Sequence, residues 1–217
     1  MKCLVIGYNG FIGTHLCKKL ENKYEVVYYN GEIPLDVDRI YYCAGIMRNE
    51  DKELFYTVNY KMVKNIIEYI RPKNIDFIYL SSMQYEQDND YGRSKRLGEI
   101  ATLEYNRGFV YRLRNTFGAG AKPNYNSVVS TFLYNIKNNL PIQIKDRSIV
   151  MELNYIDDVI ATLKNFNHKG INYKIEEIAP IYKITLGELA DTIYRFKQGV
   201  EPIIDLEGKL YETYKQY

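Results

Sequence analysis

A chain of 217 residues, 46 % of them hydrophobic, can bury one substantial core with a small appended lobe, hardly two full domains. The near balance of 29 basic and 27 acidic residues, without a dense Lys/Arg block, excludes a sequence-independent nucleic-acid binder. No apolar run approaches the length of a membrane span, and Met1–Gly7 enters a strand at once without a leader, so a cytoplasmic protein is expected.

Lys2–Ile6 reads as a short buried strand running straight into Gly7-Tyr8-Asn9-Gly10-Phe11-Ile12-Gly13 and a helical run to Leu20. Three glycines at this spacing, at a strand-to-helix junction, suit a dinucleotide pyrophosphate. Gly7 makes the turn, Gly10 admits the phosphates to the backbone, and Gly13 lets helix and strand pack closely. The amides at the helix start then face the anion. Glu25–Tyr29 is the second strand, where an acid selects NAD or a base selects NADP; Tyr29-Asn30-Gly31-Glu32 decides neither. The next strand, Asp38–Cys43, follows after about ten residues, too few for a crossover helix and a third strand. The sheet is therefore expected to be trimmed on that side.

Leu54, Val58, Met62, Ile66, Ile67 and Ile70 mark a helix over 50–70 that Pro72 ends; Asn59 points from its middle, where an amide facing solvent is the ordinary reading and one facing a ligand the other. Ile75–Leu80 is a strand that delivers Ser81 and Ser82 at its carboxyl end, where ligands of open α/β sheets bind. Asp90 is expected to cap a helix running to about Asn106, and Gly108–Leu113 is the last strand of the sheet. This alternation predicts an α/β fold, a Rossmann-like doubly wound parallel sheet over 1–113. The remainder, 114–217, reads as a small C-terminal substrate lobe within the same single domain. Its expected pieces are a glycine-rich loop through Asn115 to Gly120, a helix over 127–138, and extended segments at 142–145 and 149–156. A short helix then opens at Asp157-Asp158, and Thr185-Leu186-Gly187-Glu188 is a capping box for a helix to Lys197.

Tyr91 and Lys95 are one helical turn apart and share a face. A free phenol titrates near pH ~10, and lowering that by three units takes about 4 kcal/mol, toward which a neighbouring ammonium contributes the right sign of charge. With the Ser82 hydroxyl, the pair suits proton transfer to or from a carbonyl or carbinol oxygen. Taken alone, Tyr-x-x-x-Lys equally describes an exposed helix face with a snorkelling lysine. Cys3, Cys17 and Cys43 lack paired spacing, and His15 and His168, the latter before Lys169-Gly170, lie far apart. No metal site is expected.

The glycine loop, a serine ending a strand some seventy residues on and Tyr-x-x-x-Lys soon after it together resemble the extended short-chain dehydrogenase/reductase family, the NAD-dependent epimerase/dehydratase branch. Further strings are similar to the reductase part of the CapF type of capsular-polysaccharide enzyme. They are Ala44-Gly45-Ile46-Met47-Arg48, the run from Gln87 to Lys95, Lys122-Pro123-Asn124-Tyr125-Asn126-Ser127-Val128, Leu153-Asn154-Tyr155-Ile156-Asp157-Asp158 and the capping box. The resemblance implies reduction of the 4-keto group of a UDP-linked 4-keto-6-deoxy-N-acetylhexosamine, on the way to a 6-deoxy amino sugar for a surface polysaccharide. It implies NADPH, with NADH not excluded, and a homodimer through the helices at 53–70 and 91–106.

By that likeness Ser82, Tyr91 and Lys95 are catalytic. Gly7, Asn9, Gly10, Phe11, Ile12, Gly13, Ala44, Gly45 and Asn59, with Tyr91 and Lys95, hold the coenzyme, and Arg48, Ser82, Asn115, Lys122, Asn124 and Asn126 meet the nucleotide sugar. Tyr155 and Asp157-Asp158 are as suited to bracing the lobe as to touching ligand. The CapF type also carries a metal-binding cupin domain that epimerises carbon 3. The present sequence is expected to lack that activity, leaving it to a separate protein upstream. Alternatives within the same reading are an epimerase or dehydratase with no net redox, or a non-catalytic nucleotide-binding subunit. Met151 and Glu152, where many sugar epimerases carry an arginine before Tyr-x-Asp-Asp, count against the first.

Overall fold

In a computed structural model, residues 1–168 and 174–217 are described; Lys169 and Gly170 lie outside them. Strand β1 (Lys2–Ile6) is buried along nearly its whole length, as a central strand covered on both faces must be. It leads through the glycine loop into α1 (Phe11–Leu20), which turns Gly13, Leu16, Cys17 and Leu20 inward. β2 (Glu25–Tyr28) is only half covered and pairs with β1 alone. β3 (Arg39–Tyr42) lies on the other side of β1, so the sheet stops at β2, trimmed as expected. Residues 29–38 bridge the gap with no regular element, held by Lys2, whose ammonium lies 2.7 Å from Asp36 and whose backbone N–H donates to Asp38.

The helix over 53–70 is broken by a wide turn: α2 (Glu53–Tyr56), a π-helical turn at Thr57–Lys61, then α3 (Met62–Ile70). Its inward positions are Phe55, Asn59, Val63, Ile66, Ile67 and Ile70, not the Leu54–Val58–Met62 line of the apolar pattern. The extra residue accommodated by a π turn brings Asn59 inward, and it is fully buried. β4 (Asp76–Ser82) follows, then a 3₁₀ turn at Met83–Glu86 and α4 (Asp90–Leu103). The cap of α4 is Asn89, which accepts from the Gly92 N–H at 2.8 Å. Asp90 is instead the first helical residue, and its carboxylate accepts from the Tyr56 hydroxyl at 3.0 Å. The helix ends three residues short of Asn106, where the Tyr105 hydroxyl donates back to the carbonyls of Lys73 and Ile75.

β5 (Gly108–Leu113) was expected to be the last strand of the sheet, and it is not. The chain first leaves through β6 (Asn115–Phe117), α5 (Val128–Lys137), β7 (Val150–Tyr155) and α6 (Ile156–Lys164). It then returns as β8 (Ile175–Glu177), which pairs parallel to β5 through Val110, Tyr111 and Arg112. The six-stranded order is β2-β1-β3-β4-β5-β8. Three residues rich in acid (Ile175-Glu176-Glu177) carry too little apolar pattern to be read as a strand. β9 (Tyr182–Thr185), α7 (Leu186–Lys197) and α8 (Asp205–Lys215) complete the chain.

Contacts divide the chain into two compact units, one of Met1–Leu113 with Ile160–Ile178 and one of Arg114–Val159 with Ala179–Tyr217. In the first, Leu4, Ile40, Val63, Ile67, Ile70, Phe77 and Tyr79 build one core between the sheet and α3. Truncating a residue such as Ile67 there to alanine costs roughly 2–5 kcal/mol. In the second unit, β6 and β9 flank β7, so the expected loop at Asn115 begins with a strand. The expected strand at 142–145 is irregular, although Ile142 and Ile144 still pack on the core. Thr185 and Glu188 make the reciprocal capping box.

Candidate active site

The glycine loop lies at the carboxyl end of β1. Gly7 has φ +83°, a conformation that side chains disfavour, and a Cβ there would sit 2.5 Å from the Ala44 nitrogen. A Cβ on Gly13 would run into the Gly7 carbonyl. The N-cap of α1, Gly10, offers no side chain to the helix N-terminus, and no acid stands in the first turn. These amides are left for an anion, with Asn9, Phe11 and Ile12 around them. The cradle continues past Ala44 to Gly45, whose added Cβ would lie 3.3 Å from the Lys95 ammonium and 3.5 Å from the Asn59 amide oxygen.

Ser82 ends β4, its Oγ accepting from the Gln84 N–H at 3.2 Å. Burial raises the Tyr91 phenol above its ordinary range, and the nearby Ser82 hydroxyl opposes that rise. This departs from the expectation that Lys95 would lower it. The Lys95 ammonium instead donates to the Leu80 carbonyl at 2.9 Å and sits 4.8 Å from the centre of the Tyr79 ring. Burial brings it down to about 8, against the pull of Glu99 and Cys43. The resting arrangement thus holds a protonated phenol one helical turn before a buried amine, a proton donor more than a base.

Asn59 donates from Nδ2 to the Ile46 carbonyl and to Ser94 Oγ, each at 3.0 Å, and its Oδ1 accepts from the Ile46 N–H at 3.1 Å. Ser94 in turn donates to the Tyr91 carbonyl. The amide therefore ties the loop after β3 to the helix bearing Tyr91.

Residues 33–170 match the family described as NAD dependent epimerase/dehydratase. The chain belongs to that family. It is 37 % identical to the UDP-2-acetamido-2,6-beta-L-arabino-hexul-4-ose reductase of Pseudomonas aeruginosa, aligning over its whole length with 65 % of that protein. It is 32 % identical to the capsular polysaccharide assembling protein CapF of Staphylococcus aureus, with a TM-score of 0.82, and covers 65 % of that chain. This member of the epimerase/dehydratase family thus spans about two thirds of the length of those relatives. A UDP-glucuronic acid 4-epimerase from Bacillus cereus, solved with NAD, shares the fold at 19 % identity and a TM-score of 0.83, over 96 % of its own chain.

Of the residues expected to meet a nucleotide sugar, Arg48 is exposed on the loop after β3. In the second unit, Asn115 opens β6 and Lys122 is exposed. Asn124, at φ 56°, braces its own loop, its N–H donating to Thr131 Oγ1 at 2.9 Å and its Nδ2 to Asn135 Oδ1 at 3.2 Å. Asn126 stands half-buried two residues on. Tyr155 packs on Phe117, and Asp158 accepts from the Tyr182 hydroxyl, so both brace the lobe. Glu152, at the position noted for its missing arginine, is bonded to Arg114 and Lys183. The sequence reading missed Asn89, Tyr79 and the Glu99–Arg112 pair. Glu99, one turn beyond Lys95 on the same helix, was the one with a visible signal.

Among the described residues, no three His, Cys, Asp or Glu side chains gather as a metal site, and no helix is long and apolar enough to cross a membrane.

Proposed function

We propose that this family member reduces the 4-keto group of a UDP-linked 4-keto-6-deoxy-N-acetylhexosamine, for a 6-deoxy amino sugar of a surface polysaccharide. The observation that carries this reading is the convergence of the Ser82 hydroxyl on the Tyr91 phenol, one helical turn from the buried Lys95 ammonium that lines the glycine cradle at Gly45. The likeness to the P. aeruginosa reductase supports the substrate class. The clashes that a Cβ would make at Gly7 and Gly13, together with the bare N-terminus of α1, fit a nicotinamide dinucleotide. NADPH is proposed on the CapF likeness. When bound, such a coenzyme in its reduced form supplies hydride to carbon 4.

Tyr91, kept protonated by burial, gives its proton to the carbonyl oxygen as that oxygen gains negative charge. Ser82 holds the same oxygen in line with the phenol. The charge on Lys95 stabilises the phenolate left behind and restrains the nicotinamide ribose, while Gly45 leaves room beside the ammonium. Asn59 acts by fixing the loop at Ile46 rather than by spare hydrogen-bonding capacity. Arg48 in the first unit, and Asn115, Lys122 and Asn126 in the second, keep the nucleotide-sugar role that the resemblance implies; for Asn124 the loop-bracing bonds favour an indirect part. Pairing of two copies through α3 and α4 is supported by the half-exposed Ile100 and by the shallow depression of Tyr60, Lys64, Leu97, Ile100 and Glu104.

The test is to follow loss of reduced-nicotinamide absorbance with NADPH or NADH and a panel of UDP-4-keto-6-deoxy-N-acetylhexosamines differing at carbons 3 and 5. Turnover with one member supports the reductase. Interconversion of sugars without coenzyme loss overturns it in favour of an epimerase.

A further inference from the structure

Two elements carry the reacting groups, β4 with its 3₁₀ turn bringing Ser82 and α4 bringing Tyr91 and Lys95, and β5 lies beside β4 in the sheet. One side chain joins all three. Arg112, on β5, grips Glu99 of α4 with two prongs, Nε at 3.0 Å from Oε1 and Nη2 at 2.6 Å from Oε2. Its guanidinium also lies 3.6 Å from the centre of the Tyr85 ring, in the 3₁₀ turn three residues after Ser82. Glu99 is almost wholly buried and Arg112 largely so. The turn is pressed against the helix at Gly92, where an added Cβ would collide with the carbonyls of Gln87 and Gln84.

We infer that Arg112 is a positioning residue with two effects: it locks the Ser82 turn onto the Tyr91 helix, and it neutralises Glu99 so that Lys95 is not held as one half of a buried ion pair. A planar fork can bind a carboxylate edge-on while stacking on an aromatic face, which lysine cannot do. The groups facing Lys95 are Glu99 on its own helix, Cys43 after β3 and the Tyr79 ring on β4. Of these, Glu99 is the carboxylate, and it pulls Lys95 toward the charged form. Arg112 spends that carboxylate elsewhere. Lys95 then responds to coenzyme and substrate charge rather than to a fixed partner.

This inference rests on Lys95 being part of the active site, but its deciding readout, the titration of Lys95, does not depend on turnover. The Nζ resonance of Lys95 in ¹⁵N-lysine-labelled protein, assigned by its loss in Lys95→Arg, is followed against pH. In Arg112→Met the midpoint should climb from about 8 toward the ordinary 10.5, because Glu99 is left to pair with Lys95. In Glu99→Gln it should fall below the wild-type value. Arg112→Lys, which keeps the charge and loses the fork and stack, should hold the midpoint near wild type while lowering kcat with little change in coenzyme affinity. It also serves if Arg112→Met does not fold. Opposite movements of the first two midpoints support the inference. Unmoved midpoints, or movement of both in one direction, overturn it and leave the pair a packing feature. Absence of turnover with every sugar, alongside opposite midpoints, would count against the proposed reaction and not against the tuning.

Discussion

On the β4 side of β1, Asn59, Tyr79, Ser94 and Lys95 are buried; Asn59 is hydrogen-bonded to Ser94 and to the Tyr79 hydroxyl, and Lys95 donates to the Leu80 carbonyl. On the β2 side, Tyr8 and Tyr28 meet edge to face at 5.2 Å with both rings substantially exposed, and Tyr28 finds its hydroxyl partner in Glu21. The same sheet thus has one rim of desolvated, mutually held polar groups and one rim of surface aromatics. Desolvation is what makes electrostatic placement strong. The chain keeps it where proton transfer is proposed and dispenses with it where the far end of a dinucleotide would lie.

Four changes press on that contrast. Tyr91→Phe removes the proton donor from the desolvated rim; turnover should drop at least about a hundredfold, with coenzyme affinity, read by titration of bound-nicotinamide fluorescence, almost unaltered. Near-normal turnover would take Tyr91 out of the mechanism. Gly13→Ala forces a methyl into the Gly7 carbonyl and should weaken coenzyme binding by more than about tenfold, measured in the same titration.

Lys95→Met should raise the denaturant midpoint at neutral pH while abolishing turnover. The native ammonium titrates near 8 and the unfolded one near 10.5. Between those values the unfolded chain holds more protons, so wild-type stability rises with pH and the cost of the buried charge is full only below about 8. The stability gap between variant and wild type should therefore close as pH climbs toward 10.5; a gap independent of pH would contradict the assignment. The smallest effect is expected on the other rim, where Tyr28→Ala should change coenzyme affinity by less than about tenfold. A larger loss would mean that the exposed aromatics do more than line an edge.

The parts legible beforehand were those whose signal is local. Gly7 and Gly13 could be assigned their steric tasks because a strand-to-helix turn demands them, and the shortness of 29–38 foretold the missing strand. Tyr91 and Lys95 could be paired from helical spacing alone, but not the sign of the phenol's perturbation, since burial depends on Phe55 and the rest of the packing around the ring. Whether Asn59 faces solvent or the interior could not be decided beforehand, because a π turn leaves no trace in composition. Asp90 stood as the expected cap although Asn89 holds that place, because both residue types cap well and only backbone geometry distinguishes them. β8 was invisible because a three-residue edge strand is defined by its neighbour more than by its own side chains.

That late strand also bears on synthesis. When residue 113 leaves the ribosome, β5 is the growing margin of the sheet, and the strand that pairs with Val110–Arg112 is still some sixty residues from being made. The nascent chain must carry an open hydrogen-bonding edge while all of Arg114–Val159, which belongs to the other unit, is translated. Such an edge invites pairing with other chains. A gene cut after codon 113 would make that interval permanent, so the first unit is better expressed with its returning segment rejoined by a short linker than as an uninterrupted fragment.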